Sequence, residues 1–105
     1  MLSDDRFAES YVNSRRQRGF GPMRIKLELQ QRGVSTDLID VYVNFHDETW
    51  LQISLHEYEK KFGNFGANSY QDKVKCMRFL QSRGFTNDII QKTMDEFSDK
   101  RPGDI

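Results

Sequence analysis

The sequence of 105 residues predicts an all-α protein built of two tandem three-helix repeats. First, the segment 29–39 returns without a gap as the segment 80–90, and both copies combine Arg-Gly, an apolar residue, a hydroxyl residue and Asp followed by two branched aliphatics. Second, the apolar residues elsewhere follow helical spacing. Third, no stretch alternates apolar and polar residues between hairpin turns. Repetition at this period indicates a supersecondary module, and tandem modules usually present a surface rather than a catalytic pocket.

The first unit is predicted over residues 1–46. Its first helix, 4–17, is followed by a glycine-rich break, and Pro22 fits the first turn of the second helix, where a missing N–H costs nothing. Gly33 is a natural left-handed C-cap for that helix, and Ser35 caps the third. Helical spacing selects the residues that we expect to be buried: Phe7, Ala8, Tyr11, Val12, Ile25, Leu29, Leu38, Ile39, Tyr42 and Val43.

The second unit is predicted over residues 47–99, followed by a polar tail over 100–105. Ser69 with an acid three residues later resembles a capping box. Gly84 then repeats the role of Gly33, and Thr86 repeats that of Ser35. The expected buried residues are Leu51, Leu55, Tyr58 and Phe62 on the fourth helix, Tyr70, Val74, Met77 and Leu80 on the fifth, and Ile89, Ile90, Thr93 or Met94, and Phe97 on the last.

Composition favours a folded, soluble protein of the cytoplasm. Aromatic residues reach 12%, which disordered chains do not. The single cysteine, Cys76, fits a reducing compartment, and its place in a helical apolar pattern predicts a core position. No apolar run approaches the length of a membrane span, and no charged-then-apolar leader opens the chain. We therefore expect no membrane association.

The chemistry of an enzyme is missing from the sequence. His46 and His56 have no further ligand at zinc spacing. The Gly19-x-Gly21 motif is a helix break followed by Pro, not the strand-to-helix turn that dinucleotide binding requires. We therefore predict a non-enzymatic protein without metal or cofactor.

Positive charge is concentrated although the chain carries 16 basic and 16 acidic residues. Between Arg15 and Arg32 six cations face a single acid, Glu28. Such a stretch can meet phosphates or an acidic protein surface, or it can be a solvated helix face. Cations at the C-terminal turns of helices are also expected from the helix dipole, but Arg24 and Lys26 lie early in their helix and escape that explanation.

The partner-binding residues are predicted on both units. Arg32 and Arg83 occupy the same slot of the repeat, so they either extend a basic track or serve to cap their helices. The candidate residues are Arg15, Arg16, Arg18, Arg24, Lys26, Arg32, Lys73, Lys75 and Arg83. Phe20 and Phe65, in loops, either anchor a partner or fold back on the core, and Trp50 can pack at the junction of the two units.

With these residues laid out, the sequence resembles the RecX family of regulatory proteins. The resemblance runs from residue 4 to about residue 99. Its strongest part is the central-module pattern, with an acidic-Arg-Phe start at 5–7, a Ser-Arg element at 14–15, the Gly-x-Gly-Pro break at 19–22 and an Ile-x-x-Glu-Leu helix at 25–29. A later module matches at Lys61-Phe62-Gly63, Lys73-Val74, Arg78-Phe79-Leu80 and Arg83-Gly84-Phe85.

The resemblance implies a non-enzymatic bacterial protein that binds the RecA recombinase and its filament on single-stranded DNA. It would restrain strand exchange, ATPase and coprotease activities, in homologous recombination, DNA repair and the SOS response. Family members typically carry three repeats, and this sequence matches the central and C-terminal ones. We expect a monomer whose DNA contact is weak or indirect, because a net charge of zero opposes autonomous DNA binding. The alternative is a general DNA-binding helical module.

Overall fold

The structure is a computed structural model that describes residues 4–63 and 70–98, which form six α-helices and no strand. The helices are α1 Asp4–Gln17, α2 Pro22–Gln31, α3 Thr36–Tyr42, α4 Thr49–Phe62, α5 Tyr70–Arg83 and α6 Asn87–Ser98. Helices α1, α2 and α3 pack on one another, as do α4, α5 and α6. The all-α fold of two tandem three-helix repeats is therefore confirmed.

The division of the chain at residue 46 stays a prediction. It falls within the connection 43–48 between α3 and α4. The predicted polar tail, the predicted cap Ser69 and the loop aromatic Phe65 lie outside the described residues.

The repeated segment stops one helix and starts the next in both units. Gly33 and Gly84 adopt φ values of +85° and +96°, in the left-handed region that favours glycine. In each copy the backbone N–H of the residue after the glycine donates to a leucine carbonyl in the last turn of the helix. These hydrogen bonds run from Val34 to Leu29 at 3.1 Å and from Phe85 to Leu80 at 3.2 Å. The hydroxyls of Ser35 and Thr86 each accept a hydrogen bond of 3.3 Å from the backbone N–H three residues on. These four predicted caps, Gly33, Gly84, Ser35 and Thr86, are thus confirmed.

A hydrophobic core runs through both units. In the first unit the predicted positions on α2 and α3 are buried or half-buried, whereas Phe7 on α1 lies at the edge and is 36% exposed. The sequence left open whether Thr93 or Met94 on α6 is buried, and in the structure both residues are buried. The buried apolar residues are Ala8, Val12, Ile25, Leu29, Val34, Ile39, Val43, Trp50, Tyr58, Cys76, Leu80, Phe85, Ile89, Ile90 and Met94.

The predicted apolar face of α4 is only part of the face that this helix buries. Only Tyr58 is fully buried, and the other three predicted residues are half-buried: Leu51, Leu55 and Phe62. The remaining deeply buried positions are Trp50, Ser54 and Glu57. Ser54 faces α6, where its hydroxyl lies 2.7 Å from that of Thr93. Because two of these positions are polar, a pattern of apolar residues could not reveal the face that α4 buries.

The predicted face of α5 is wrong at Tyr70 and Met77, whereas the predicted Val74 is half-buried. Tyr70 is 81% exposed and Met77 is 37% exposed, whereas Leu80 is fully buried as predicted. Cys76 is 3% exposed and takes the core position one residue before Met77. The predicted core role of Cys76 is confirmed, and burial raises the pKa of its thiol.

A buried hydroxyl in the second unit gives a first prediction. The Tyr58 ring stacks on Phe97 with centroids 4.1 Å apart, but its hydroxyl has no hydrogen-bonding partner among the described residues. Burial raises the pKa of Tyr58, and interaction with the Cys76 thiol raises it further. An unpaired buried hydroxyl costs about 1–3 kcal/mol. We therefore expect Tyr58→Phe to raise the free energy of unfolding by about 1 kcal/mol.

Urea denaturation followed by circular dichroism measures this change. Tyr42→Phe is the matched control, because the exposed Tyr42 hydroxyl donates to the Asp5 carboxylate, a hydrogen bond that raises the pKa of Tyr42 to about 12. The control should lower the free energy of unfolding, because it removes a hydrogen bond that is formed. A loss of stability in Tyr58→Phe would mean that the Cys76 thiol is an adequate hydrogen-bonding partner.

Candidate partner-binding site

The two units meet where the loop between α1 and α2 contacts the C-terminal end of α5. The backbone N–H of Gly21 donates to the Arg83 carbonyl at 2.6 Å, and that of Met23 donates to the Gly84 carbonyl at 2.9 Å. The Arg24 guanidinium donates to the Ser82 carbonyl at 3.0 Å. The unpaired donors at the start of α2 and the unpaired carbonyls at the end of α5 therefore satisfy each other across the junction.

This junction requires glycine on both sides. A Cβ on Gly21 would lie 2.5 Å from the carbonyl carbon of Gly84. A Cβ on Gly84 would lie 2.3 Å from the Cβ of Arg24 and 2.6 Å from its backbone nitrogen. Gly21 is thus more than the helix break read from the sequence, because it lets two backbones come within hydrogen-bonding distance.

Four arginines gather around two aromatic rings beside the junction. The guanidinium carbons of Arg15, Arg24 and Arg83 lie 5.4, 4.6 and 5.1 Å from the centroid of the Phe20 ring. Those of Arg15 and Arg32 lie 5.1 and 5.0 Å from the Tyr11 ring. Stacking on rings holds guanidinium groups while their N–H donors remain available to a partner. We call Arg15, Arg24, Arg32 and Arg83 the arginine cluster.

Phe20 answers the question that the sequence left open about the loop aromatics. It is half-buried against the core, so it folds back on its own protein. Three of the four arginines also contact its ring, so Phe20 shapes the surface that a partner would meet.

Two carboxylates partly balance the arginine cluster. Glu28 lies 3.2 Å from Arg15 and 3.2 Å from Arg24, and it accepts a 2.8 Å hydrogen bond from the Tyr11 hydroxyl. Burial alone would raise the pKa of Glu28, but these hydrogen bonds and charges together hold it below its usual range. Glu57, on α4, lies 3.6 Å from Arg83. Four guanidinium groups against two carboxylates leave the cluster positively charged.

Arg16 lies apart from the cluster and bridges the units near Trp50. Its guanidinium carbon is 4.4 Å from the Trp50 ring centroid, and its side chain pairs with Asp47 at 3.7 Å and donates to the Thr49 hydroxyl. The backbone N–H of Thr49, then its hydroxyl and the Arg16 charge, lower the pKa of Asp47. The Trp50 indole N–H donates to the Asn44 carbonyl at 2.7 Å. The predicted position of Trp50 at the junction is therefore correct.

The other predicted residues lie outside the arginine cluster. Lys26 is half-buried, with its ammonium 5.6 Å from the centroid of the Phe45 ring. Arg18 follows α1, while Lys73 and Lys75 lie on α5, and all three are exposed. The structure thus brings four of the nine candidates together and leaves the rest as separate cations.

The sequence missed the acids that organise this surface. Glu28 was recoverable, because Arg24 precedes it by four residues and such pairs face each other on a helix. Glu57 could not be recovered in this way, because its partner Arg83 is far along the chain. The Glu57 side chain is moreover buried, with only 5% of it exposed. Gly84 also packs against Arg24, a role that its position as a helix C-cap had concealed.

Residues 4–63 and 70–98 contain neither a metal-binding cluster nor a helix that could span a membrane. No group of three or more His, Cys, Asp or Glu side chains in these ranges is arranged to hold a metal ion. Within the same ranges, no helix has the length and apolar character needed to cross a bilayer.

Comparison with known proteins gives the same result for both units. Residues 3–41 match the family model described as RecX, second three-helix domain, and residues 51–94 match RecX, third three-helix domain. Three similar proteins are each named Regulatory protein RecX. That of Legionella pneumophila is 38% identical over 94 residues, covering 90% of this chain and 63% of the relative.

The other two cover similar shares. The Pectobacterium atrosepticum protein is 37% identical over 98 residues, covering 93% of this chain and 60% of the relative. The Yersinia enterocolitica protein is 36% identical over 96 residues, covering 91% and 58%. The chain thus spans about three fifths of the length of these relatives. Matched by two consecutive RecX domain models and by relatives of that name over nearly all of its length, the chain belongs to the RecX family.

Proposed function

We propose that this chain binds the RecA recombinase and its filament on single-stranded DNA and restrains strand exchange, ATPase and coprotease activities. Membership of a family of regulatory proteins supports the class of function. The observation that carries the proposal is the arginine cluster, which places four guanidinium groups beside the junction of the two units. In this proposal the chain acts without catalysis, in the cytoplasm, as a monomer.

The chemistry of the cluster suits a protein filament wrapped on DNA. A guanidinium presents paired donors in one plane, and these match both carboxylates and phosphates. The Tyr11 and Phe20 rings hold the arginines in place before binding, which reduces the side-chain entropy lost on association. A filament offers acidic side chains and a phosphate backbone together, so one preorganised surface can use both.

The separate cations extend this surface in the proposal. Arg18, Lys73 and Lys75 are exposed, and their long side chains can make salt-dependent contacts with little positional demand. Arg16 and Lys26 contribute less in the proposal, because they lie apart from the arginine cluster, Arg16 beside Trp50 and Lys26 beside Phe45.

A double substitution tests the cluster without opening the junction. We expect Arg15→Gln with Arg32→Gln to weaken binding to RecA filaments by about tenfold, or about 1.4 kcal/mol. Arg24 and Arg83 remain in place because both belong to the contact between the units. Binding is measured by fluorescence anisotropy on RecA assembled on single-stranded DNA, with RecA ATPase as a second readout and circular dichroism as the check on folding.

The matched control removes two exposed cations elsewhere, by Arg78→Gln with Lys92→Gln, and changes the net charge equally. Affinity should then stay within about twofold of the unmodified chain. Equal weakening in both pairs would assign the effect to net charge, and unchanged affinity in the first pair would remove the cluster from the site. Tight binding to naked single-stranded DNA at physiological salt, independent of RecA, would favour a general DNA-binding module.

A further inference from the structure

Helix α5 leaves a mostly apolar stripe in water on the side that faces away from its own unit. We propose that this stripe, formed by Tyr70, Val74, Met77 and Gln81 and called here the outer stripe, docks an amphipathic helix that carries acidic residues beside its apolar face. The inference does not rest on RecA binding, and its test contains no RecA.

The outer stripe is separate from the face of α5 that fills the core. Tyr70 is 81% exposed and Met77 is 37% exposed, whereas Val74 between them is half-buried. Gln81 is exposed as well, and the core side of the helix is held instead by Cys76. A contiguous apolar surface left in water, on a helix whose other face already packs in the core, is typical of a site of protein association.

The spacing of the outer stripe is that of a coiled-coil seam. Its residues are separated by four, three and four positions, which is the alternation of d and a positions in a heptad. They therefore keep to one narrow face of α5 over a length of about 16 Å. A second helix can lie along such a seam and place its own apolar side chains between those of the first. This geometry favours a helix over an extended strand as the occupant.

The charges beside the outer stripe decide which helix fits. Lys73 and Arg78 fall at the g and e positions of the same heptads, one on each side of the stripe, and both are exposed. Neither side chain pairs with a carboxylate among the described residues. Charges at e and g positions set the choice of partner in coiled coils. A helix with Glu or Asp at the facing positions is therefore attracted, and one with Lys or Arg is repelled.

The outer stripe ends at a groove beside the junction of the two units. Gln81 lines this groove together with Met23 and Leu27 of α2, whose side chains are 53% and 54% exposed. The volume of the groove is about 470 Å³. Arg24 and Glu28 also line it, and they lie 3.2 Å apart, so their charges offset each other. Such a groove suits an apolar anchor residue near one end of the docked helix.

Two synthetic helical peptides test the proposal on the intact chain. Both are three heptads long, about 21 residues, with Ile at a and Leu at d, and they differ only in carrying Glu or Lys at every e and g position. Like charges at these positions keep each peptide from pairing with itself. By titration followed with nuclear magnetic resonance, we expect a Kd of about 100 µM for the Glu peptide and binding about tenfold weaker for the Lys peptide.

Two double substitutions connect the binding to the outer stripe. Tyr70→Ser with Met77→Ser should weaken binding of the Glu peptide by about tenfold, because it removes exposed apolar contacts without touching the core. Val41→Ser, at a 68% exposed position on α3, is the matched control and should leave the Kd unchanged. Lys73→Glu with Arg78→Glu should reverse the preference, so that the Lys peptide binds more tightly than the Glu peptide. Circular dichroism checks the folding of each variant.

Amide signals locate the peptide on the unmodified chain. The Glu peptide should shift the signals of Gln81 and Leu27 but not that of the exposed Asp40 on α3. Unmoved Gln81 and Leu27 signals at a peptide concentration of about 1 mM would overturn the proposal. Equal binding of the two peptides would contradict an acidic occupant.

Two further outcomes would replace the occupant. A concentration-dependent dimer of the chain alone that Tyr70→Ser with Met77→Ser abolishes would assign the outer stripe to a second copy. Single-stranded DNA that shifts the Gln81 and Leu27 signals at a lower concentration than the Glu peptide would assign it to a nucleic acid.

Discussion

Gly84→Ala is expected to cost about 2 kcal/mol more of the free energy of unfolding than Gly33→Ala. The two glycines close equivalent helices at φ values of +96° and +85°. Both substitutions therefore lower the free energy of unfolding by about 1 kcal/mol, because each places a side chain in the left-handed region. Only at Gly84 does the new Cβ also meet a backbone, because it would lie 2.6 Å from the nitrogen of Arg24. The difference between the two variants thus measures the contact between the units.

Urea denaturation of both variants, followed by circular dichroism, gives the two free energies. Gly33→Ala serves as the matched control for the strain in φ. Relief of the clash by separation of the units would appear as a second transition at low urea in Gly84→Ala alone. Equal losses in a single transition would show that the hydrogen bonds at Arg83 and Gly84 contribute little to holding the units together.

Trp50→Ala should destabilise the chain by about 4 kcal/mol, because Trp50 is fully buried and truncation leaves a large cavity. The loss extends across the junction, since Arg16 would have no ring beneath its guanidinium and the Asn44 carbonyl would lose the indole donor. The free energy of unfolding is measured by chemical denaturation, with Arg16→Met alone as a check on the combined share of the Arg16 contacts with Trp50, Asp47 and Thr49.

Trp50→Phe is the control that separates packing from the hydrogen bond. It keeps a ring near Arg16 and removes the indole N–H, so we expect a loss of about 2 kcal/mol. A loss in Trp50→Ala no larger than that in Trp50→Phe would mean that the cavity collapses and that the ring does not join the units.

The local elements of this protein follow from its sequence because their causes are local. Three signals in the first unit each act within one turn of chain. They are Pro22 at the start of α2, the left-handed Gly33 that follows α2, and the Ser35 hydroxyl at the start of α3. The same grammar, repeated 51 positions later, predicts the second unit. These signals suffice to predict the six helices and their grouping into two units of three.

The faces that the helices bury were less predictable. On α4 the sequence offers a clean apolar stripe, yet Ser54 and Glu57 are among the most buried residues of the helix. Each finds its partner only in three dimensions: the Thr93 hydroxyl on α6 for Ser54, and the Arg83 guanidinium for Glu57. A buried polar group is acceptable where such a partner exists, and sequence patterns contain no record of it.

The candidate site divides in the same way. The basic stretch that begins at Arg15 was visible in the sequence, and so was the break at Gly19 and Gly21. The grouping of Arg15 and Arg24 with Arg83 around Phe20 was not, because Arg83 comes from the other unit. Arg24 also joins the units through its hydrogen bond to the Ser82 carbonyl, a role that its position early in a helix did not suggest.

The sequence by itself determined the helices, the caps of the repeated segment, the duplication and the family, since each rests on short-range chemistry or on residue identity. Only the tertiary structure decided how the duplicated segment is used. One copy, ending at Gly84, accepts the backbone donors of Gly21 and Met23, while the other, ending at Gly33, has no described partner. Identical local conformation cannot separate these two states, because the difference lies in which backbone comes within 3 Å of each end.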